Sequence, residues 1–455
     1  NLKQNVKLAV PAYIETGLQY QQERREKDYK YYSYRFVGPG GLGQFADKHA
    51  WVKEPIEGMR QPPWADTVLV ARHKDQNPAQ WVEDLSYRYV QRLQNTQDFR
   101  ETITSGYLMG NIKLDNLDIL AGLRVEETGV LGNGPLNQAP NATERARRAA
   151  FVGTLTEEEI KRRAEYDWGN RVRTEGRYRN VFPGIHFKYA HESGFVARTS
   201  YTTSIGRPGL ASILPNMTVS EEARTLSVSN TGLKPQRSNN FDVNFEYYFE
   251  PIGLLSASVF LKEVSDFIYS DSSKFVASGP ENGFDGHYEG FSITTTANGG
   301  SARYRGFELS YQQQFTFLPG FWSGFGVNAN YTYLQTKGDY GGPSATTLVA
   351  GFRPKTGNLS VNYRRGRFDT RLQANWVDTY LVGVSTNAAL LRYELPRVTT
   401  QAKINYFLTS RVTLYINLDN IFNVPINKNF YAYKDRLNQT RRPFRPIGVG
   451  IQGRF

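Results

Sequence analysis

Residues 241–249 read FDVNFEYYF, and every second side chain in this stretch is apolar or aromatic. Three of the four residues between them carry a charge or an amide. A period of two places successive side chains on opposite faces of a β-strand. The stretch therefore predicts a strand with one apolar face and one polar face.

The same alternation recurs along the chain, for example in residues 119–126, 327–333 and 371–376. Each run is about ten residues long, which is the length that a tilted strand needs to cross a bilayer. Counted back from a last strand at the end of the chain, about fourteen strands are predicted, at 10–24, 101–113, 117–128, 180–190, 195–205, 239–249, 254–268, 302–316, 321–336, 354–364, 367–379, 397–408, 411–420 and 444–455.

The connections between these runs alternate between short and long. Short links at 115–116, 191–194, 250–253 and 364–367 are separated by long polar stretches such as 37–100, 129–178 and 206–237. Every second connection then lies at the same end of the sheet. This alternation is typical of membrane barrels with short turns on one side and long loops on the other. The predicted fold is all-β: a transmembrane antiparallel up-and-down β-barrel with long extracellular loops.

Two of the long loops are predicted to be partly helical. Residues 78–93 carry apolar side chains at helical spacing. Thr156 is followed three residues later by Glu159, the capping-box pattern that opens a helix, here predicted to run to about Trp168.

Composition excludes several classes of function. The chain has no cysteine, and its five histidines are scattered, so neither a thiolate nor a histidine metal site is predicted. No set of nucleophile, base and orienting group can be assembled, so the protein is not expected to be an enzyme. The net charge of +12 is spread along the chain rather than gathered in one arm, which gives no indication of nucleic-acid binding.

The aromatic content supports the barrel. The chain has 29 Tyr and 27 Phe, yet its mean hydropathy is −0.53. Lipid-facing and lumen-facing residues alternate in a membrane barrel, so their hydropathies average out. A soluble extracellular β-rich binding protein has a similar profile, and it remains one alternative at this point.

Both ends of the chain carry information. Ile447, Val449, Ile451 and Phe455 share one face of the last predicted strand. A terminal strand that ends on an aromatic residue resembles the assembly signal that the barrel-assembly machinery reads in outer-membrane proteins. The chain opens at Asn1 without a charged or apolar leader, so we expect a mature or truncated product.

Four motifs in the second half resemble one family. Residues 230–238 read NTGLKPQRS and run into the strand at 241–249, residues 305–308 read RGFE, residues 328–333 read NANYTY, and residues 417–423 read NLDNIFN. In this order they resemble the barrel of TonB-dependent receptors, and the similarity extends from about residue 12 to the end. Barrels of that family have about twenty-two strands and enclose an N-terminal plug domain. The resemblance implies that residues 1–455 are the C-terminal portion of such a barrel domain, with no plug domain in this chain.

The resemblance also implies a function. Receptors of this kind sit in the outer membrane of Gram-negative bacteria, bind a scarce nutrient on extracellular loops and import it with energy transduced by TonB. The expected ligand is a ferric siderophore or similar compound, with an oligosaccharide or cobalamin as alternatives. The expected partners are the TonB–ExbB–ExbD complex, reached through an N-terminal segment not present here, the barrel-assembly machinery, and outer-membrane lipids with lipopolysaccharide. The competing function is a passive porin-like channel.

Ligand contacts are expected from aromatic and cationic side chains in the loops. Aromatic rings cover apolar or sugar surfaces, and arginine binds carboxylate or phosphate. Packing within the loops or contact with lipopolysaccharide is the competing explanation for each residue. The candidates are Trp51, Trp64, Trp168, Arg207, Tyr288 and Tyr340.

Overall fold

Fifteen β-strands form one antiparallel sheet in a computed structural model that describes residues 1–47, 65–138, 140–214, 216–284, 286–433, 435–441 and 445–454. These strands form the wall of the fold, and neighbours along this series pair with each other. The wall strands are β1 (Leu2–Val6), β2 (Ala12–Lys27), β3 (Gln97–Leu114), β4 (Leu117–Pro135), β5 (Arg171–Ala190), β6 (Phe195–Gly206), β7 (Gln236–Phe249), β8 (Gly253–Ser265), β9 (Ser301–Gln314), β10 (Phe325–Asp339), β11 (Lys355–Arg365), β12 (Phe368–Val377), β13 (Arg397–Phe407), β14 (Val412–Leu418) and β15 (Ile447–Gly453).

The predicted strands correspond to β2–β15, which confirms the antiparallel meander. The short strand β1 was not predicted. It pairs with the start of β2, with Leu2 opposite Thr16 and Val6 opposite Ala12. Among the described residues, β1 and β15 are the two edges of the sheet.

The pairing register gives the sheet two unlike faces. Val243 lies opposite Val259, Val259 opposite Phe307, and Phe307 opposite Tyr333, so that apolar side chains continue from strand to strand. We call the side that bears Val243, Val259 and Phe307 the outer face. Phe307 and its neighbours there are exposed although they are apolar, as expected for a lipid-facing surface.

The opposite side, which we call the inner face, is polar. Asn244, Ser258, Glu308 and Thr332 lie opposite one another on four successive strands. The side-chain amide of Asn244 donates to the hydroxyl of Ser258 at 2.7 Å. A polar inner surface is what a water-filled lumen requires.

Aromatic rings flank the apolar part of the outer face. At the end with long loops, Tyr331 stacks on Trp376 with ring centroids 6.4 Å apart. At the end with short turns, Phe325 and Tyr363 lie 4.8 Å apart, and Trp322 packs 5.7 Å from Phe325. Aromatic belts at both ends of an apolar band are typical of the two interfaces of a membrane.

Several wall strands are longer than the alternating pattern predicted. Strand β5 has 20 residues, against eleven predicted at 180–190. The added part carries charges on the outer face, where Arg173 lies 2.6 Å from Glu175 and Arg177 lies 3.4 Å from Glu127. The hydrogen-bond ladder therefore continues beyond the apolar band, where hydropathy no longer marks it.

The C-terminal strand keeps the predicted pattern. Ile447, Val449 and Ile451 of β15 pair with Leu418, Ile416 and Leu414, which places them on the outer face and exposed. Phe455 lies outside the described residues.

The long loops contain their own elements. Their helices are α1 (Thr67–Gln76), α2 (Leu85–Asn95), α3 (Ala142–Ala149), α4 (Glu157–Trp168) and α5 (Leu210–Ile213), with 3₁₀ turns at Leu42–Phe45, Pro78–Gln80, Gly320–Gly324 and Ala388–Leu390. Their strands form three small sheets: Tyr34–Phe36 with Trp81–Glu83; Met217–Ser220, Thr225–Val228, Ile268–Phe275 and Ser292–Asn298; and Tyr380–Gly383, Arg392–Glu394, Asn427–Phe430 and Leu437–Arg441.

One of the two predicted loop helices is confirmed. Helix α4 begins where the capping box placed it, and the Thr156 hydroxyl accepts from the Glu159 backbone N–H at 3.3 Å. The prediction for residues 78–93 was wrong in its first half. There the chain forms a turn and a short strand, and α2 begins only after Asp84, whose carboxylate caps it by accepting from Tyr87 N–H at 2.9 Å.

No helix in the described ranges is both long and apolar enough to cross a membrane.

Candidate functional site

Ion pairs line the inner face of the wall. Arg198 of β6 donates a hydrogen bond to Glu246 of β7, and the Tyr248 hydroxyl donates to the same carboxylate at 2.7 Å. Both residues lie on the inner face of the wall. Charge is tolerated there because the surface is polar.

Arg207 leaves the end of β6 and reaches back across the inner face. Its guanidinium donates to Glu126 of β4, and its Nε lies 3.8 Å from a carboxylate oxygen of Glu101 on β3. The side chain is 30% exposed. Arg207 thus ties the following loop to the wall, and only part of its guanidinium is open to a ligand.

The loop that follows Arg207 covers part of the inner face. Leu214 and Leu233 of this loop line a small cavity of about 70 Å³ together with the wall residues Phe99, Val130 and Tyr178. The loop therefore narrows the space beside β3–β5 at the end with long loops.

The loops that cover the inner face at the end with long loops are called the roof. A helical unit made of α2, α3 and α4 forms a second part of it. Glu157 at the start of α4 accepts from Arg88 at 2.8 Å and from the Tyr89 hydroxyl at 2.5 Å, both on α2. These contacts join the loop between β2 and β3 to the loop between β4 and β5. Trp168, at the end of α4, is only 6% exposed and packs inside this unit.

A cluster of charges holds α3 against α4. Arg147 lies 2.6 Å from Glu144 and 2.8 Å from Glu159, and Arg163 lies 2.5 Å from Glu159. Hydrogen bonds from Arg147 and Arg148 lower the pKa of Glu144 to about 2, and hydrogen bonds from Arg147 and Arg163 lower the pKa of Glu159 to about 2. We call Glu144, Arg147, Arg148, Glu159 and Arg163 the α3–α4 clasp.

Tyr288 belongs to a third unit, the four-stranded sheet between the β6–β7 and β8–β9 loops. Its ring lies 6.0 Å from Phe284 and 5.5 Å from Phe291, beside the fully buried Leu226. Burial, then the nearby carboxylates of Glu221 and Asp167, raise the pKa of the Tyr288 hydroxyl. Since Asp167 precedes Trp168, these two candidates lie in neighbouring units.

Tyr340 sits in another loop core. It is 6% exposed, its hydroxyl donates to the Leu348 carbonyl at 2.8 Å, and its ring packs 5.3 Å from Tyr269. These contacts fit a packing role. The two remaining candidates, Trp51 and Trp64, lie outside the described residues.

A run of tyrosines was missed by the sequence analysis. Residues 29–34 read YKYYSY and follow directly on β2. Tyr29, Tyr32 and Tyr34 are 58%, 53% and 39% exposed, and the Lys74 ammonium lies 5.0 Å from the Tyr34 ring centre. Exposed rings beside a cation can stack on a planar anionic ligand. Four tyrosines within six residues was the signal that could have found them.

The sequence matches one family model over most of its length. Residues 5–421 match the model described as "TonB dependent receptor-like, beta-barrel". No curated protein gives a significant match to this sequence.

Solved structures share the fold at low sequence identity. The ferric enterobactin receptor of Pseudomonas aeruginosa, solved as a mutant with enterobactin, has 14% identity and a TM-score of 0.55; the match covers 94% of this chain and 48% of that one. The ferric-catecholate import receptor of Escherichia coli K12 has 12% identity and a TM-score of 0.58, over 100% of this chain and 53% of that one. The siderophore receptor PiuA of Acinetobacter baumannii has 16% identity and a TM-score of 0.53, over 91% and 50%. The chain therefore spans about half the length of these structures.

Proposed function

Because this chain belongs to the TonB-dependent receptor β-barrel family, we propose that it forms part of the wall and roof of a receptor that imports a scarce nutrient. Barrels of this family are outer-membrane proteins of Gram-negative bacteria, and this protein is proposed to lie there too. The family and its structural neighbours are receptors and transporters rather than enzymes. The work is ligand binding and gated passage, without covalent chemistry.

One observation carries the proposal. The sheet has an exposed apolar outer face between two aromatic belts and a polar inner face. Folded loops cover one end of the inner face only, since the long connections all lie at that end. A wall with an apolar outer face and a polar inner face is consistent with a lumen that crosses the membrane. Loops that cover only one end of the wall favour capture of a ligand from that side of the membrane.

The ligand proposed is a ferric siderophore or a similar compact anion. Exposed rings at residues 29–34 supply a stacking surface, and the ammonium of Lys74, which pairs with Asp75 at 2.9 Å, lies 5.0 Å from the Tyr34 ring centre. The net charge of +12 favours an anionic cargo. An oligosaccharide would use the rings without needing the cation, which separates the two ligand classes experimentally.

The energy source is proposed to be the TonB–ExbB–ExbD complex. The chain spans about half of the structures that it matches, and we propose that the remainder of the protein supplies a plug, its TonB-contacting segment and further wall strands. Residues 1–455 contribute the C-terminal portion of the barrel domain.

The test is uptake of iron by the native host under iron limitation. We expect cells that lack this receptor to lose uptake of one ferric siderophore, and cells that lack TonB to lose it equally. Uptake that persists without TonB, together with steady ion conductance of the purified protein in planar bilayers, would establish a passive channel instead.

The tyrosine run is tested by measuring the affinity of the purified protein for the ferric siderophore. Replacing Tyr32 and Tyr34 by Ala should weaken binding of the ferric siderophore by roughly tenfold, because each aromatic contact is worth about 0.5–1.5 kcal/mol. Phe317→Ala is the matched control, since Phe317 is an exposed ring at the end with short turns. Equal loss in both variants would show a folding defect, and no loss in either would refute the role of the tyrosines.

A further inference from the structure

Two like charges lie side by side on the inner face of β12 and β13. Arg371 of β12 is directly opposite Lys403 of β13, and both side chains are exposed. The partner of Arg371 on β11 is Asn362, which shares a face with Thr356. Thr356 pairs with the inward Thr332, so the two cations point into the lumen. Like charges at directly opposite positions destabilise a sheet unless a counter-charge is present.

The wall does not neutralise these two charges. Arg371 donates from Nε to the Ser360 hydroxyl at 2.9 Å and, like Lys403, has no carboxylate at ion-pair distance among the described residues. The one acidic residue of β12, Asp369, lies opposite a third exposed cation, Arg364. Three cations thus share one carboxylate in this part of the lumen, which leaves two positive charges to offer to an anion.

A second like-charged pair shows how the wall neutralises such charges elsewhere. Lys188 of β5 lies directly opposite Arg198 of β6, also on the inner face. Arg198 donates to the carboxylate of Glu246, and Asp118 of β4 lies opposite Lys188. Two cations therefore meet two carboxylates there. The pair on β12 and β13 lacks this compensation, so its charge is available to a ligand.

Neutral amides surround the uncompensated pair. Gln373 and Gln401 lie opposite each other one step closer to the roof, and Asn417 of β14 lies opposite Lys403. The inward residue of β15 opposite Asn417 is Gly448, which has no side chain, so the wall recedes beside the lysine. Cations and amide N–H groups are the donors that bind carboxylates and similar anions. This part of the lumen therefore offers both donors and space to an anion.

We propose that Arg371 and Lys403 form an exit site that holds the anionic cargo at the end of the lumen away from the roof. Arg371 lies near the start of β12 and Lys403 near the end of β13, both close to short turns. Pores that conduct anions carry Arg and Lys on their walls, and their sites must bind weakly enough to release the anion. Exposed cations in a water-filled lumen meet that condition. The inference rests on the proposed transport function, which it extends from the roof to the opposite end of the wall.

The first test measures anion binding without any transport. The full protein in detergent micelles is titrated with the tetra-anion pyrenetetrasulfonate, and binding is followed by fluorescence polarisation. The variant Arg371→Gln/Lys403→Gln should bind this dye roughly tenfold more weakly, on the order of threefold for each cation removed. Arg371→Lys/Lys403→Arg keeps both charges and should keep the affinity. The charge-matched control is Lys188→Gln/Lys262→Gln, which removes two inward lysines that lie apart on β5 and β8 and should bind like the wild type.

The second test assigns the anion to the cargo. Uptake of the ferric siderophore by the native host is compared with its binding to the same cells without an energy source. The variant Arg371→Gln/Lys403→Gln should slow uptake severalfold and leave binding unchanged, because the roof that captures the ligand is intact. The charge-keeping variant and the control should take up the siderophore at the wild-type rate.

The outcomes separate the exit site from its alternatives. Equal dye affinity in the wild type and in Arg371→Gln/Lys403→Gln, or an equal loss in the control, would remove the site. Unchanged uptake despite weaker dye binding would show that the cargo does not use it. Higher ion conductance of this variant in planar bilayers would assign the two cations to a protein segment that closes the lumen. If the wild type shows no TonB-dependent uptake while the dye result holds, the transport proposal alone fails and the anion site stands.

Discussion

Leu226 should control the stability of the loop unit that holds Tyr288. Its side chain is fully buried between Val219 on one neighbouring strand and Ile293 on the other. Replacing a buried Leu by Ala costs about 2–5 kcal/mol, through lost transfer energy and the cavity left behind. These loops lie beyond the apolar band of the wall, so the ordinary hydrophobic argument for water-exposed domains applies to them.

The loss should appear as local opening rather than global unfolding. A local cost of about 3 kcal/mol corresponds to roughly 150-fold faster amide exchange where exchange proceeds through opening of this unit. Hydrogen exchange read by mass spectrometry should show this acceleration in peptides covering residues 217–228 and 292–298. Peptides of β8 and β9 should be unchanged, because the wall ladder does not depend on Leu226.

The matched control is Val152→Ala, at a loop residue that is 92% exposed. It should leave exchange unchanged throughout. Unaltered protection in Leu226→Ala, or equal acceleration in the wall strands, would refute the description of this unit as an independently packed core. Because Tyr288 packs on that core, affinity for any ligand that it contacts should fall in parallel.

Three further results are expected. The folded-state pKa values of Glu144 and Glu159, about 2, lie below the ordinary glutamate value of about 4.3. The α3–α4 clasp therefore stabilises the fold fully above about pH 4.3, and this stabilisation is lost as the pH falls through about 2. Exchange protection of α3 and α4 should hold from about pH 7 to about pH 5 and decline below about pH 4. Arg207→Gln should release residues 207–233 from the wall and speed their exchange, leaving β6 protected. In single-tryptophan variants, Trp322 and Trp376 should be quenched more by lipids brominated near the headgroup than by lipids brominated at mid-chain, since both are assigned to interfaces.

The wall was predictable because its two faces meet different solvents. Alternation is imposed wherever one face is apolar and the other polar, so β7 could be read directly from FDVNFEYYF. Strand β1 was missed because LKQNV is too short for the pattern to rise above chance. The upper half of β5 was missed because its outward side chains are charged beyond the apolar band, and its inward ones, Val172, Thr174, Gly176 and Tyr178, form no continuous apolar face.

Helix α3 shows a second limit. The only apolar side chains of its sequence, ATERARRA, are the alanines Ala142, Ala146 and Ala149, so the helix has no large apolar residue to mark a buried face. The helix is stabilised by Asn141, which caps it by accepting from Glu144 N–H at 2.9 Å, and by ion pairs from Glu144 to Arg147 and Arg148. Arg147 also pairs with Glu159 on α4. A contact between two helices cannot be predicted from the sequence of either segment alone.

The ligand-contacting residues were the hardest to predict, because residue type does not determine exposure. Trp168 and Tyr340 were predicted to contact ligand because they are aromatic residues in loops. Long loops need apolar cores of their own, and both rings are buried in such cores. The core around Leu226 requires a parallel pairing of Thr225–Val228 with Ser292–Asn298, two segments from different loops with no local sequence signal. Tyr29, Tyr32 and Tyr34 have the same chemistry and remain exposed. The packing of one loop on another therefore determines whether an aromatic ring is free to contact a ligand. This packing depends on the folded structure of several loops and not on the sequence of the segment that carries the ring.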